Sequence, residues 1–226
     1  MATATRSPTT VEFGERRFVI HDVGWEGYSA LLDIVGDGHP RIAYLRGSVE
    51  FMSPLIPHDR YKSRFGFIIE ALTEELDIPR AALGSTTFRR QGADCGLEPD
   101  ECYYLANHDK IGFKGRPDLD LIPPPDLAIE IDITNSLLKK LDIHAGLRIP
   151  EVWRFDGEEL TVLLLGPNGR YTRSETSGAF PFLPLAELVR FLLDESEPNE
   201  TRWGRGFRTW VRETLLPLYR NPADPE

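Results

Sequence analysis

Asp126-Leu127-Ala128-Ile129-Glu130-Ile131-Asp132-Ile133 is the stretch on which the fold turns. It follows Pro123, Pro124 and Pro125, which have no backbone N–H to give and so end whatever element precedes them. Apolar residues then alternate with acids, and a strand sends successive side chains to opposite faces. One face carries Ala128, Glu130 and Asp132; the other carries Leu127, Ile129, Ile131 and Ile133. An acid set between residues that must be buried needs a partner, because an unpaired buried charge is costly.

Downstream, Ser136 is a candidate N-cap for a helix running to about Leu147. Pro150 to Phe155 and Leu160 to Leu165 read as a hairpin around Asp156-Gly157. Helices are expected over 185–193 and 205–216. Upstream, Asp100 to Leu105 reads as a strand after a turn at Asp94-Cys95-Gly96, and Gly84 to Arg90 as another. The stretch 106–125 reads as loop, with a short strand near Leu119 to Ile122. Tyr61, Phe65, Ile68, Ile69, Leu72 and Leu76 recur at helical spacing and predict a helix over about 58–76 with one buried stripe. Nearer the start stand a strand (Arg17 to His21), a helix (Trp25 to Val35, ended by Gly36 and Gly38) and a hairpin (Arg41 to Leu45 with Val49 to Met52). Helix, strands, helix and strand in this order predict an α/β protein: a central mixed β-sheet flanked by helices. One domain is expected over 11–219, with a flexible arm over 1–10 and a loose tail over 220–226.

The bulk properties exclude several classes. Of the 226 residues, 41% are hydrophobic, enough for a core, and 27% are charged, which is ordinary for a water-soluble chain. The two cysteines, Cys95 and Cys102, do not make a disulfide scaffold; reduced thiols and a cytoplasmic location are expected. The first ten residues lack the apolar core of a signal peptide, and nothing approaches the roughly 20 apolar residues of a membrane span, so no membrane partner is expected. The net charge of −10 opposes general affinity for nucleic acid but leaves room for a local basic groove. No phosphate-cradling glycine loop and no Gly-x-Ser-x-Gly elbow occurs. Trp203, Arg205, Phe207, Arg208, Trp210 and Arg212 mix basic and aromatic residues; stacking on nucleic acid and packing on the domain are both open, with packing preferred.

The chemistry concentrates on acids. If the strand that opens at Asp100 lies beside the strand of Glu130 and Asp132, the three carboxylates converge, and a cation must neutralise them. Mg²⁺ and Mn²⁺ suit hard oxygen ligands. The competing reading is of strand-end acids facing water. Lys140, ten residues after Glu130 in the first turn of the next helix, can reach back to the strand end and stabilise charge on a phosphate, with Asp132 orienting it or a water. His144, one turn on and on the same helix face, reads as a packing residue.

These residues carry a resemblance. Pro124-Pro125-Asp126-Leu127-Ala128-Ile129-Glu130-Ile131-Asp132-Ile133-Thr134, then Lys140, then Ile149-Pro150-Glu151-Val152-Trp153-Arg154-Phe155-Asp156 closely resembles the Uma2 (DUF820) endonuclease family of the PD-(D/E)XK nuclease superfamily. Glu50-Phe51-Met52-Ser53-Pro54, His58 and Glu98-Pro99-Asp100 extend it, so that it covers roughly residues 45–165. The resemblance implies a restriction-endonuclease-like α/β fold. It makes Asp100 and Glu130 ligands of a Mg²⁺ or Mn²⁺ ion, with the Ile131 carbonyl as a third. Glu50 would extend the acidic site and His58 stand at its rim. The strict superfamily pattern has a lysine two residues after the glutamate; here Asp132 stands there, and Lys140 matches a helix lysine of the family that can replace it in space. The resemblance further implies DNA as substrate and a homodimer. The expected function is metal-dependent hydrolysis of DNA phosphodiester bonds. A nuclease-like binding or assembly module without activity is the alternative, as is a metal-dependent enzyme acting on a small phosphorylated substrate.

Overall fold

The computed structural model of the chain describes residues 16–36, 40–111, 119–133, 136 and 138–220. The arm expected over 1–10, Gly38, and the tail from 221 onward lie outside them.

The described strands form two sheets. The first is antiparallel and contains β1 (Arg16–Ile20), β2 (Arg41–Leu45), β3 (Ser48–Ser53), β5 (Phe88–Arg90) and β6 (Cys95–Leu97), in the order β1-β3-β2-β6-β5. The second contains β4 (Ala81–Ala82), β7 (Glu101–Tyr104), β8 (Leu127–Ile131), β9 (Glu151–Phe155), β10 (Leu160–Leu165) and β11 (Tyr171–Ser174), in the order β11-β10-β9-β8-β7-β4. It is mixed: β8 and β9 run parallel and the other neighbours antiparallel. A parallel pair needs a crossover, and α3 (Lys140–Leu147) supplies it.

The alternation along β8 sorts its side chains as the sequence predicts. Leu127, Ile129 and Ile131 enter a core with Phe65, Ile68, Ile69 and Leu72 of α2 (Ile56–Glu75) and with Trp153 and Phe155 of β9. Ala128, from the opposite face, joins Val152, Cys102 and Tyr104 against Ile143 and Leu147 of α3 and against Phe88, Cys95 and Leu97 of the first sheet. Thus α2 covers one face of the mixed sheet, while α3 and the antiparallel sheet cover the other. Helices α4 (Leu185–Leu193) and α5 (Glu200–Trp210) complete the first core through Leu188, Leu192, Trp203 and Phe207. After a π turn at Val211–Leu215 the chain ends its described course in α6 (Leu216–Arg220). Among the described residues no helix is long and apolar enough to cross a membrane.

Three local expectations fail, each for a physical reason. The turn expected at Asp94-Cys95-Gly96 is tighter: Asp94 alone takes the left-handed backbone (φ 51°), and Cys95 already pairs with Leu45 in β6. Gly96 is required there, because a Cβ would collide with the Tyr28 ring. Leu119 to Ile122 is turn and bend rather than strand. Ser136 does not cap a helix; α3 starts at Lys140, and Ser136 donates its hydroxyl to Glu50 instead.

Candidate active site

The register of β7 on β8 pairs Glu101 with Ile129 and Cys102 with Ala128; carried one residue further, it sets Asp100 across from Glu130. Both acids are buried, Asp100 at 0% exposure and Glu130 at 3%. Asp100 Oδ2 accepts a 2.7 Å hydrogen bond from the backbone N–H of Ile131, the residue after Glu130. Its Oδ1 accepts from the Arg41 guanidinium, and His58 Nε2 lies 3.0 Å away. Arg41 opens β2 on the antiparallel sheet, and His58 stands in the first turn of α2; Asp100 is therefore the point where both sheets and α2 meet.

Glu130 is held from α3. Lys140 Nζ donates to Oε2 at 2.6 Å, and His144 Nε2 lies 2.8 Å from Oε1. Burial by itself would raise the Glu130 pKa. The Lys140 charge and the His144 hydrogen bond outweigh it and hold the carboxyl well below the usual carboxylate range. Lys140 and His144 are one turn apart and face the same strand, which is how both reach one carboxylate. His144 is buried, as expected for a packing residue, but it also binds the acid, so reading it as packing alone is incomplete.

Asp132 pairs with Arg154 rather than with Lys140. Its Oδ2 accepts a hydrogen bond from Nε of Arg154 on β9 (3.0 Å), and a terminal nitrogen of the same guanidinium lies 2.9 Å away. The parallel register pairs Arg154 with Glu130, which brings the guanidinium alongside the strand end. Asp132 Oδ1 is buried and accepts no hydrogen bond among the described residues. Glu50, 1% exposed, accepts from Arg17 (2.9 Å), from the Ser136 hydroxyl (2.9 and 3.1 Å) and from the Leu138 backbone N–H (3.0 Å).

A cavity of about 330 Å³ opens beside Glu130, with Asp132, Lys140, Leu141, Val152 and Arg154 among its lining. A second void of about 20 Å³ touches Arg41, Glu50, Glu98 and Lys140. Among the described residues no three His, Cys, Asp or Glu side chains are grouped as a ready-made metal cage. The donor chemistry still suits a hard cation: two carboxylates on neighbouring strands, and one orphaned Asp132 oxygen nearby. A metal at the two acids would compete for oxygens that Arg41 and Lys140 now neutralise.

Of the residues singled out in the sequence, the structure brings Asp100, Glu130 and Lys140 together, and it adds Arg41, which the sequence reading did not single out. Nothing around Arg41 in the chain points to Asp100, 59 residues away. His144 was findable from its i, i+4 spacing to Lys140. The basic and aromatic stretch 203–212 packs on the domain: Trp203 and Phe207 are buried, while Arg208 and Arg212 pair with Glu74 and Glu75 of α2.

A mixed sheet covered by α2 on one face and by a crossover helix and a second sheet on the other is a mixed α/β architecture, consistent with the restriction-endonuclease-like fold that the sequence leads one to expect. Residues 25–194 match the model of the Uma2 family, described as "putative restriction endonuclease", and the chain belongs to that family. Among solved structures, one from Anabaena variabilis ATCC 29413, described as "a putative nuclease belonging to DUF820", is similar at 19% identity over 68% of this chain and 92% of that one, with a TM-score of 0.49. No curated protein matches the chain.

Proposed function

We propose that the chain is a divalent-metal-dependent endonuclease that hydrolyses DNA phosphodiester bonds. The observation that carries this reading is the opposition of Asp100 and Glu130, buried on neighbouring strands, with Lys140 bound to the second of them beside an open cavity. Asp100, Glu130 and the Ile131 carbonyl would hold Mg²⁺ or Mn²⁺. Such an ion polarises a phosphoryl oxygen and lowers the pKa of a bound water. His144 keeps Glu130 turned toward the cavity, and Arg41 and His58 fix Asp100. Lys140, reaching the same cavity, supplies positive charge where negative charge develops on the phosphate. Arg154, tethered by Asp132, offers a second cation at the rim for the phosphate backbone. Two copies acting as a homodimer would present one site to each strand of a duplex.

The test is conversion of supercoiled plasmid by the wild-type chain in Mg²⁺, in Mn²⁺ and in EDTA. Metal-dependent nicking or linearisation is expected, with light scattering showing a dimer. Nicking that persists in EDTA, or none under any condition, would sink the reading; the second result would favour the inactive binding module.

One observation favours a second reading. The cavity of about 330 Å³ lies within the size range of small-molecule pockets and carries the apolar walls Leu141 and Val152 with the charged groups Glu130 and Lys140. A small phosphorylated substrate fits such a shape. Hydrolysis of a mononucleotide ester but not of plasmid would select it.

A further inference from the structure

We propose that Glu50 is a positioning residue: it clamps the segment that leads into α3 and thereby sets Lys140 against Glu130, rather than serving as a metal ligand. For catalysis this rests on the endonuclease reading above; for structure it stands alone.

The Glu50 backbone is a rigid base. It lies on β3, with Val19 of β1 on one side and Ala43 of β2 on the other, so strand pairing fixes it from both flanks. From there the carboxylate reaches across to the chain between β8 and α3. It accepts the Ser136 hydroxyl and the Leu138 N–H, while Arg17 balances its charge. Leu138 in turn accepts the Lys140 N–H through its carbonyl at 3.0 Å, and Lys140 is the first residue of α3.

The helix needs such a holder. Its N-cap, Lys139, makes no side-chain capping bond, although the first N–H groups of any helix lack partners within it. Glu50 supplies from the other sheet an anchor that the local sequence does not. An anion beside a helix start is also favoured by the helix dipole. Lys140 has a flexible stem, so a loosened backbone would add to the freedom its ammonium must lose to stay on Glu130.

The small void beside Glu50 sharpens the choice between clamp and ligand. About 20 Å³ between Arg41, Glu50, Glu98 and Lys140 is room for one water or one ion. Two cationic side chains border it, and the Glu50 oxygens already accept hydrogen bonds from Ser136, Leu138 and Arg17. Those bonds fit a structural anchor.

The test uses the full chain as Glu50→Ala, Glu50→Gln and Ser136→Ala, followed by amide hydrogen exchange over 138–143, Mn²⁺ calorimetry and cleavage kinetics. Losing a cap-like bond loosens a helix start by about tenfold in its opening equilibrium. Exchange at these amides should therefore quicken by about that factor in Glu50→Ala and less in Ser136→Ala. Glu50→Gln, whose amide oxygen can still accept from Leu138, should restore part of the protection. Mn²⁺ affinity should hold in Glu50→Gln, and kcat should fall in all three variants with KM steady. If Glu50→Ala does not fold, Glu50→Gln and Ser136→Ala carry the same comparison. Unchanged exchange in the variants, or a tenfold loss of Mn²⁺ affinity in Glu50→Gln, would overturn the clamp. An inert wild type defeats the endonuclease reading but leaves the exchange result decisive for the clamp.

Discussion

At the scale of single residues, charge is matched pair by pair. Glu130 meets Lys140 and His144, Asp100 meets Arg41 and His58, and Asp132 meets Arg154. On the metal-dependent reading Lys140 would have two opposed roles, since the Glu130 oxygen that it neutralises is one that the metal would need. Lys140→Ala should lower turnover by about 10²–10³, the usual effect of removing a donor aimed at developing charge. It should also tighten Mn²⁺ binding, because the cation competing for Glu130 is gone. Calorimetry beside single-turnover kinetics measures both, and weaker Mn²⁺ binding in the variant would contradict the competition. Lys139→Ala should change both far less, because Lys139 also lines the cavity but the cation bonded to Glu130 is Lys140. The acids were legible because alternation on β8 marks Glu130 as buried and Asp100 stands immediately before the facing strand β7. Arg41 was not, because its pairing with Asp100 exists only after two sheets have met. Nor was the true partner of Asp132, because the β8–β9 register that delivers Arg154 is a tertiary fact.

At the scale of elements, the long periodic segments were legible and the short ones were not. Helices α1 (Trp25–Val35) and α4 match their expected bounds, and Phe65, Ile68, Ile69 and Leu72 form the buried stripe of α2, with Tyr61 half-buried against it and Leu76 buried just past the helix end. Leu72, fully buried there, should cost about 2–5 kcal/mol as Leu72→Ala, read from urea unfolding; a loss under about 1 kcal/mol would mean that the stripe is not packed as described. Strand β6, with three residues, is too short to show a period, and the antiparallel sheet in which it joins β2 to β5 escaped the sequence reading with it; β11, with four, escaped at the edge of the mixed sheet. The join of α5 to α2 makes a pH prediction. Hydrogen bonds from Arg212 and Arg208 hold Glu75 below the usual carboxylate range against the opposing effect of burial, and Arg208 does the same for Glu74. A carboxylate with a depressed folded-state pKa adds stability that is present above its unfolded value and lost as pH falls through the folded one. Glu75→Gln should therefore lose stability at neutral pH and approach wild type in acid, seen as converging thermal midpoints below the ordinary carboxylate range. A gap that does not depend on pH would show that the ion pairs contribute nothing.

At the scale of the whole molecule, a net charge of −10 coexists with a site whose acids are each answered by a cation. The α/β class was legible because strand and helix patterns alternate along the chain, but the number of sheets depends on which short strands pair, and no local pattern states that. Both sheets build the candidate site: the mixed one supplies Glu130, while the antiparallel one sends Arg41 to Asp100 and Glu50 to Ser136 and Leu138 ahead of Lys140. Asp100 and Glu130 acting as one metal-dependent centre is the claim on which the rest depends. Its most direct test is Mn²⁺ calorimetry paired with plasmid cleavage for wild type, Asp100→Asn and Glu130→Gln. The prediction is that wild type binds Mn²⁺ and cleaves, and that either near-isosteric change abolishes both while the thermal unfolding transition remains cooperative. Mn²⁺ binding and cleavage that survive in either variant would contradict it.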